Sequence, residues 1–302
     1  MNWKKLGLIL SVDQMSSWMY SHATAPVPYF KDDGELRIFF STRDQRNYSH
    51  TAFIDINLSN IKDLLAVSKQ PVISPNSPGR FDDCGTSISC ISNFDDKTFL
   101  YYVGWTKSVT LPFLTFLGIS CLNSDNVSAN RHMEVPLLDR NNDFPDSVGY
   151  ASIVRTNKSF NMWYEQSNGW NPNSQNWNFS INYATSVDGI IWERHSKPCL
   201  QTNCNETIIA RPSVLKDKEI YKMWYCYKSQ NINYRIGYAE SNDGSNWVRK
   251  DDEVGIGVSQ SGWDNEQLCY PYVFDHKDER YMLYNGNGYG KTGFGLAKLV
   301  NK

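Results

Sequence analysis

The N-terminal stretch MNWKKLGLIL (1–10) decides the fold. It contains a tryptophan, Trp3, at a position where most chains are polar and poorly ordered. Two internal stretches, SVDGIIWERHSKPCL (186–200) and SNDGSNWVRKDDEVGI (241–256), combine an Asp-Gly turn with a tryptophan that begins a strand. The stretch NWKKLGLIL matches NWVRKDDEV from its Asn-Trp pair onward. We therefore interpret residues 2–10 as the outermost strand of a repeat whose other strands lie at the C-terminus.

An aromatic strand recurs about every 60 residues and defines five repeats. Its copies are LRIFFST (36–42), FLYYVGW (99–105), FNMWYEQ (160–166), YKMWYCY (221–227) and YMLYNGN (281–287), in which Phe40, Tyr102, Tyr164, Tyr225 and Tyr284 are equivalent. Each copy has a strand on either side of it, with turn-forming residues between them. The fifth repeat ends before its tryptophan tail, which the N-terminus supplies.

This pattern predicts an all-β chain that forms one domain over residues 1–302, a five-bladed β-propeller. The N-terminal strand closes the ring by pairing with the third strand of the last blade, and Trp3 is buried against that blade. Such closure protects edges that would otherwise be exposed.

Composition limits the function classes. The net charge of −2 does not favour nucleic acid or an anionic membrane surface as a partner. Seven cysteines without CxxC pairs argue against a disulfide scaffold and favour a reducing compartment. The apolar run in KKLGLILSV is too short for a signal peptide, and no stretch approaches a membrane span. We expect a cytoplasmic protein with no metal and no cofactor; its oligomeric state stays open.

The loops that lead into the innermost strands of a propeller gather at one mouth of its channel, where rigid scaffolds carry functional groups. Four of these five loops contain carboxylates: Asp82 and Asp83, Asp143 and Asp146, Glu206, then Asp264 and Glu266. Converging carboxylates suit glycosidic bond cleavage, in which one acid protonates the leaving oxygen and another activates water. The alternative is that these acids cap turns by accepting backbone hydrogen bonds.

Basic and aromatic residues complete the candidate site. His22 replaces a carboxylate in the first repeat, Arg43, Asp44 and His50 follow its second strand, and Arg211 begins the inner strand of the fourth. A planar guanidinium can hold a sugar hydroxyl, a carboxylate or a phosphate, or can brace neighbouring blades. Aromatic side chains at the mouth can stack on sugar faces; the candidates are Trp18, Trp105 and Tyr270.

The repeat period, the DG-x-x-W tails, ARPSV…YKMWY and RYMLYNGNGYGKTGFGLA resemble the propeller glycosidase superfamily of arabinanases, fructosidases and mannoside phosphorylases. The chain looks most like small cytoplasmic glycosylase-like proteins encoded with bacterial surface-polysaccharide genes. The resemblance implies that Glu206 is the general acid and that Asp146, or Asp143, tunes it. The base aspartate of the first blade is missing, since Ser21 and His22 stand there.

Three hypotheses follow. The first is a carbohydrate-active enzyme that acts on an oligosaccharide, with Glu206 as acid and Asp83 or Asp82 as base. In it, Asp146 modulates the acid, and the substrate contacts are His22, Arg43, Asp44, His50, Trp105, Arg211, Glu266 and Tyr270. The second is a sugar-binding propeller without catalysis. The third is a phosphorylase or glycosyltransferase that uses a phosphorylated donor.

Overall fold

The structure is a computed structural model that describes residues 1–31, 35–156, 159–172 and 176–301. Strands, numbered β1 to β20 in chain order, dominate it, with short helical turns at Asp251–Glu253 and Asn287–Gly290. The prediction of an all-β chain is confirmed. All seven cysteines are free thiols. Within the described ranges, no helix is long and apolar enough to cross a membrane.

The strands fall into five groups of four, which we call units 1 to 5. Unit 1 is β2 Ser21–Phe30, β3 Glu35–Arg43, β4 Ser49–Asn57 and β5 Asn60–Val67. Unit 2 is β6 Gly85–Phe94, β7 Lys97–Thr106, β8 Leu114–Leu122 and β9 Ala129–Arg131. Unit 3 is β10 Val148–Arg155, β11 Phe160–Asn171, β12 Asn176–Ser186 and β13 Glu193–Arg194. Unit 4 is β14 Glu206–Asp217, β15 Ile220–Ser229, β16 Arg235–Ser241 and β17 Val248–Arg249. Unit 5 is β18 Cys269–His276, β19 Glu279–Asn285, β20 Phe294–Asn301 and β1 Asn2–Leu10.

Sheet pairing follows these groups. Units 3, 4 and 5 are separate four-stranded sheets, whereas units 1 and 2 belong to one eight-stranded sheet. The two halves of that sheet are joined between β4 and β6 by one parallel residue pair, Ser49 and Gly85. Within the units, the paired strands run antiparallel, as expected for hairpins joined by short turns.

The N-terminal strand is the outer strand of unit 5. β1 pairs antiparallel with β20, and Trp3 lies opposite Leu299. Trp3 is 5% exposed, and its ring meets Trp224 of unit 4 edge-on with 6.1 Å between centroids. Trp247 of unit 4 contacts Trp163 of unit 3 in the same way, at 5.9 Å. Trp3 therefore lies between units 4 and 5, whereas the repeat pattern predicted burial against unit 5.

The hydrophobic core of the described residues comprises six clusters, of which the five largest each lie between two consecutive units. Representative buried members are Phe39 and Leu100 for units 1 and 2, Tyr101 and Met162 for units 2 and 3, Trp163 and Met223 for units 3 and 4, Trp224 and Met282 for units 4 and 5, and Phe40 and Leu283 for units 5 and 1. Each of these five clusters is shared by two units, so a unit on its own would expose part of its apolar surface.

Five hydrogen bonds from a backbone N–H to a serine or asparagine side chain join the units near the inner strands. The donor and acceptor pairs are Ile88 and Ser41 (3.1 Å), Ala151 and Ser89 (2.7 Å), Val214 and Ser152 (3.0 Å), Val273 and Ser213 (2.8 Å), and Ala25 and Asn285 (2.8 Å). The last pair connects unit 5 to unit 1. These bonds satisfy buried backbone groups that no strand partner reaches.

The innermost strand of every unit contains a register shift against its neighbour. In three of them a non-glycine residue that precedes proline has a positive φ: Ala25 (52°), Arg211 (55°) and Tyr270 (51°). Bulges of this kind re-aim side chains, and left-handed conformations of such residues cost free energy that the surrounding fold must offset. Two of the three residues, Arg211 and Tyr270, belong to the predicted site.

We predict that Trp3→Ala lowers the free energy of unfolding by about 3–5 kcal/mol, the usual cost of truncating a buried tryptophan. Deletion of residues 1–10 would also leave β20 as an exposed edge, so that variant should unfold or aggregate. Urea denaturation measures both effects. Lys4→Ala, an exposed neighbour on β1, is the control and should change little. A shortened chain that melts at the full-length temperature would contradict the role of β1.

Candidate functional site

A cavity of about 670 Å³ is lined by residues from all five units. This volume is in the range of small-molecule sites, roughly 300–1,000 Å³. Aromatic side chains make up much of the wall: Trp105, Phe113, Tyr150, Trp170, Trp177, Phe179, Tyr234, Tyr270 and Tyr289. The charged lining residues in the described part of the chain are Arg43, Lys107 and Glu165. The cavity therefore combines aromatic faces, two cations and one carboxylate.

Glu165 is the acid of this cavity. It lies on β11 and is 5% exposed. Its Oε1 accepts a hydrogen bond of 2.6 Å from the backbone N–H of Arg211. A Cβ atom at Gly149 would lie 2.0 Å from its Oε2, so the carboxylate occupies the space that this glycine leaves. Burial raises the pKa of Glu165 to about 7, although the backbone N–H groups of Arg211 and Tyr150 and the charge of Arg211 oppose the increase.

Arg211 lies fully buried beside this acid. Its guanidinium carbon is 4.7 Å from the ring centre of Tyr150, a cation–π contact. Its Nη1 donates to the carbonyl oxygen of Ser89 at 2.7 Å. Its Nε and Nη2 have no hydrogen-bond partner among the described residues, which is uncommon for a buried charged group. Arg211 thus supplies both a backbone donor and a fixed positive charge next to Glu165.

Three of the predicted substrate-binding residues line the cavity. Arg43 ends β3, and its Nη1 donates to Asn47 Oδ1 at 3.0 Å. Trp105 lies near the end of β7, and its indole N–H donates to Ser49 Oγ at 2.7 Å. Tyr270 lies in the bulge of β18, with its ring centre 5.5 Å from that of Tyr150. These side chains are held in place by their partners while they line the cavity.

Unlike these three residues, the predicted His22, Asp44 and His50 are not among the residues that line the cavity. His22 is half-buried, and burial, then the charges of Arg43 and Lys291, lower its pKa to about 4, so it is neutral at pH 7. Asp44 Oδ1 accepts the backbone N–H groups of Arg46 and Tyr48, both at 2.9 Å, and thereby caps its own turn. His50 is buried with its Nε2 3.5 Å from Asp44 Oδ2. These contacts favour a structural role for Asp44 and His50.

Asp82, predicted as a base, is fully buried in an ion pair. Its Oδ2 accepts hydrogen bonds from the Tyr102 hydroxyl at 3.0 Å and from Arg131 Nε at 2.7 Å. Asp264 of unit 5 makes the same arrangement with Tyr284 at 3.2 Å and with Lys5 of β1 at 2.7 Å. The repeat therefore includes a tyrosine, an aspartate and a cation from the outer strand, which brace one unit. This recurrence favours the structural interpretation of Asp82.

Glu206, predicted as the general acid, is bound by Arg249. Arg249 Nη1 and Nη2 donate to its two oxygens at 2.8 and 2.7 Å, a bidentate geometry. The backbone N–H of Asn203 also donates to Glu206 Oε2 at 2.8 Å. Arg249 in addition contacts Asp251, the carboxylate that accepts the Tyr225 hydroxyl. Unit 4 therefore uses Glu206 in the same type of brace, and its catalytic role stays a prediction.

The remaining predicted acids lie in the connecting loops. Asp83 is half-buried and its Oδ2 accepts the backbone N–H of Gly79 at 2.8 Å, which caps a turn. Asp146 is half-buried in the loop before β10, and Glu266 is exposed. Among the described residues that line the cavity, none of the predicted catalytic acids is present. In the described ranges, no group of three or more His, Cys, Asp or Glu side chains could hold a metal ion.

Glu165 is the residue that the sequence prediction missed. It directly follows Tyr164, and the equivalent positions in the other units are Ser41, Val103, Cys226 and Asn285. All five side chains are buried, and Ser41, Val103 and Glu165 line the cavity. Aligning the five aromatic strands in register would have revealed one ionisable acid at a position that is otherwise small, apolar or neutral. The search for acids in the loops did not include this position.

The chain has full-length relatives in sequence. No family model matches the chain. Uncharacterized protein Rv1502 and Uncharacterized protein MT1551, from two strains of Mycobacterium tuberculosis, are each 36% identical to it over 302 residues, with 100% of both chains covered. Identity at this level over the full length indicates common ancestry.

Solved structures of carbohydrate-active proteins share the fold at low sequence identity. A structure described as a glycoside hydrolase superposes with a TM-score of 0.77 and 16% identity, over 97% of this chain and 90% of the other. A glycosyl hydrolase from Bacteroides ovatus gives 0.74 and 13%, over 98% and 94%. A member of the GH130 family of mannoside phosphorylases, described as containing glycoside hydrolases that target β-1,2 mannosidic linkages in Candida mannan, gives 0.74 and 12%, over 98% and 93%.

A substitution at Glu206 separates its two possible roles. If it braces unit 4, we expect Glu206→Gln to lower the free energy of unfolding by about 1–3 kcal/mol, because charge-assisted hydrogen bonds to Arg249 are lost. Sugar binding in the cavity should stay unchanged. Chemical denaturation and calorimetry measure the two effects, and Glu219→Gln, at an exposed acid of the same unit, is the control. Loss of turnover at unchanged stability would instead support Glu206 as the general acid.

Proposed function

Because the chain belongs to the protein family of Rv1502 and MT1551 and has the fold of glycoside hydrolases, we propose that it is a carbohydrate-active enzyme that cleaves or transfers a glycosyl unit. Its substrate is an oligosaccharide or a sugar derivative, bound in the cavity around Glu165. The observation that carries this proposal is a buried carboxylic acid with a pKa of about 7 in an aromatic cavity. Aromatic faces suit sugar rings, and an acid poised near neutral pH suits proton transfer.

We propose that the five units are the blades of a closed five-bladed propeller that forms one domain. The five clusters between units and the five hydrogen bonds near the inner strands support this, since the series continues from unit 5 to unit 1. In such a ring the inner strands of all units border the same axial cavity, which accounts for lining residues from every unit. The seven free cysteines support a reducing compartment such as the cytoplasm.

The proposed chemistry begins with Glu165 in its protonated form. Its proton passes to the glycosidic oxygen as the bond between that oxygen and the anomeric carbon breaks, and the leaving group departs as an alcohol. The anomeric carbon develops positive charge, and the carboxylate left on Glu165 stabilises it. An ionised nucleophile such as phosphate then attacks this carbon and forms the new bond without giving up a proton. The N–H of Arg211 holds the carboxylate in one orientation throughout, and Gly149 leaves room for it.

A specific observation also favours a second candidate, a sugar-binding propeller without turnover. Hydrolases of this type use two carboxylates. The described residues that line the cavity include only Glu165 as an acid. A water nucleophile would therefore lack a second carboxylate as its base. Either the nucleophile is an acceptor that needs no such base, or the cavity binds sugars without turnover.

The two candidates differ in the response of Glu165→Gln. For an enzyme, we expect wild-type activity to fall as pH rises through about 7, where the acid loses its proton, and the variant to lose turnover on unactivated glycosides. For a binding module, the variant should bind the same sugars without any activity to lose. Assays with an oligosaccharide panel, with and without phosphate, measure this.

Stability gives a readout of Glu165 that needs no substrate. A carboxyl group with a raised pKa in the folded state stabilises the fold most below its unfolded pKa, and this contribution disappears as pH rises through about 7. Relative to Glu165→Gln, the wild type should therefore lose up to about 3 kcal/mol between pH 4.5 and pH 8. Urea denaturation at several pH values measures it, with the exposed Glu193→Gln as control. Parallel stability curves for wild type and Glu165→Gln would show that the acid is not perturbed.

A further inference from the structure

The cations of the cavity lack carboxylate partners. Two buried arginines elsewhere in the fold are matched by acids: Arg37 with Asp55 at 2.7 Å and Arg280 with Asp275 at 2.7 Å. Arg43 lines the cavity, and the partner found for its guanidinium is the neutral Asn47. No ion pair of Arg43 or Lys107 with an acid occurs among the described residues. A guanidinium that is positioned by a neutral amide keeps its charge available for a ligand.

The second cation, Lys107, contacts the loop that follows the first. Its Nζ is 5.1 Å from the ring centre of Tyr48, a residue of the loop that follows Arg43. The field of Arg43 reaches other groups: after burial, its charge lowers the pKa of His22, and it opposes the rise that burial causes in the pKa of Tyr150. The chain as a whole carries a net charge of −2, so this positive region is local. Local positive potential in a cavity attracts anionic ligands.

Aromatic residues of unit 3 add a surface for a ring. The centres of Trp170 and Trp177 are 5.3 Å apart on paired positions of β11 and β12, and both line the cavity with Phe179. β11 spans 12 residues, against 10 for β7 and β15, so the pair lies where this hairpin extends. Unit 3 therefore offers an apolar face, while units 1 and 2 offer the charges.

We propose that the ligand of the cavity is a sugar with an anionic group, either a carboxylate or a phosphate ester, which Arg43 and Lys107 bind. The sugar ring stacks on Trp170 and Trp177. This inference rests on the proposed function for the location of the site, and adds the substrate class. An uncharged sugar would cover the guanidinium of Arg43 without giving it a charged partner, which disfavours its binding.

The experiment compares matched probes by calorimetry on the full chain: glucose, galactose and mannose, each with its 6-carboxylate and its 6-phosphate. We expect the anionic form of at least one sugar to bind about tenfold more tightly than the neutral form, the gain from a charge-assisted hydrogen bond. Added salt should reduce the difference. The carboxylate and phosphate arms show which group is preferred. Inorganic phosphate alone is a further probe.

Variants locate the effect. Arg43→Gln should abolish the preference for the anionic form, and Arg43→Lys should restore part of it. Arg46→Gln is the matched control, because Arg46 is in the same loop, 74% exposed, and pairs with Asp44. Lys107→Gln, at an exposed position, reports on the same site even if variants of Arg43 fail to fold. An unchanged preference in both Arg43→Gln and Lys107→Gln overturns the proposal.

Other outcomes also decide the question. Equal binding of neutral and anionic probes, binding of inorganic phosphate as tightly as any sugar phosphate, or no binding of any anionic probe overturns the inference. Cleavage of neutral oligosaccharides that Arg43→Gln leaves unchanged rejects the anionic substrate while the proposed enzyme stands. Selective binding of anionic sugars without turnover of any glycoside would support the anionic ligand and reject the proposed enzyme.

Discussion

A four-stranded antiparallel sheet whose two faces are both apolar must be covered on both sides, and this requirement governs the whole structure. The aromatic second strands supply the cover: Tyr101 and Met162 pack between units 2 and 3, and Trp163 and Met223 between units 3 and 4. A row of such units always leaves two uncovered faces at its ends. In the proposed closed propeller, unit 5 packs on unit 1 and covers both of them, and β1 completes unit 5. Leu10 of β1 and Phe294 of β20 both belong to the cluster between units 5 and 1, so this interface depends on residues from both ends of the chain.

The same arrangement requires irregular backbone in the innermost strands. The bulges of these strands position residues of the candidate site. Innermost strands meet where their backbone groups cannot all pair with neighbouring strands, so side chains such as Ser89 and Ser213 accept their N–H groups. Each strand also bulges there. At Arg211 the bulge has φ 55°, and the N–H that it redirects is the donor to Glu165. A device that allows the units to converge therefore also fixes the carboxylate of the cavity.

The sequence was sufficient to predict the strands, the repeat and the pairing of residues 2–10, because each depends on local alternation and on regular spacing. It was not sufficient to assign the acids. Asp82 and Glu206 have the residue type and location of catalytic groups, but their partners, Arg131 and Arg249, lie more than forty residues away and come from outer strands. Only the pairing of strands shows that these carboxylates are already neutralised. Glu165 was missed for the opposite reason, since a core strand is where an acid is least expected.

Burial of Glu165 also explains how one cavity can contain an acid and unpaired cations. An ionised carboxylate would attract Arg43 or the guanidinium of Arg211 and form another internal brace, as Asp82 does with Arg131. The structure instead leaves the oxygens of Glu165 little solvent, and this burial raises its pKa to about 7 against the opposing effect of the Arg211 N–H, so its charge is largely suppressed below that pH. The pull on the cations is correspondingly weak. Suppression of the charge of Glu165 by burial therefore allows a neutral acid and an unpaired guanidinium to coexist in one cavity, as the proposed acid chemistry and anion binding both require.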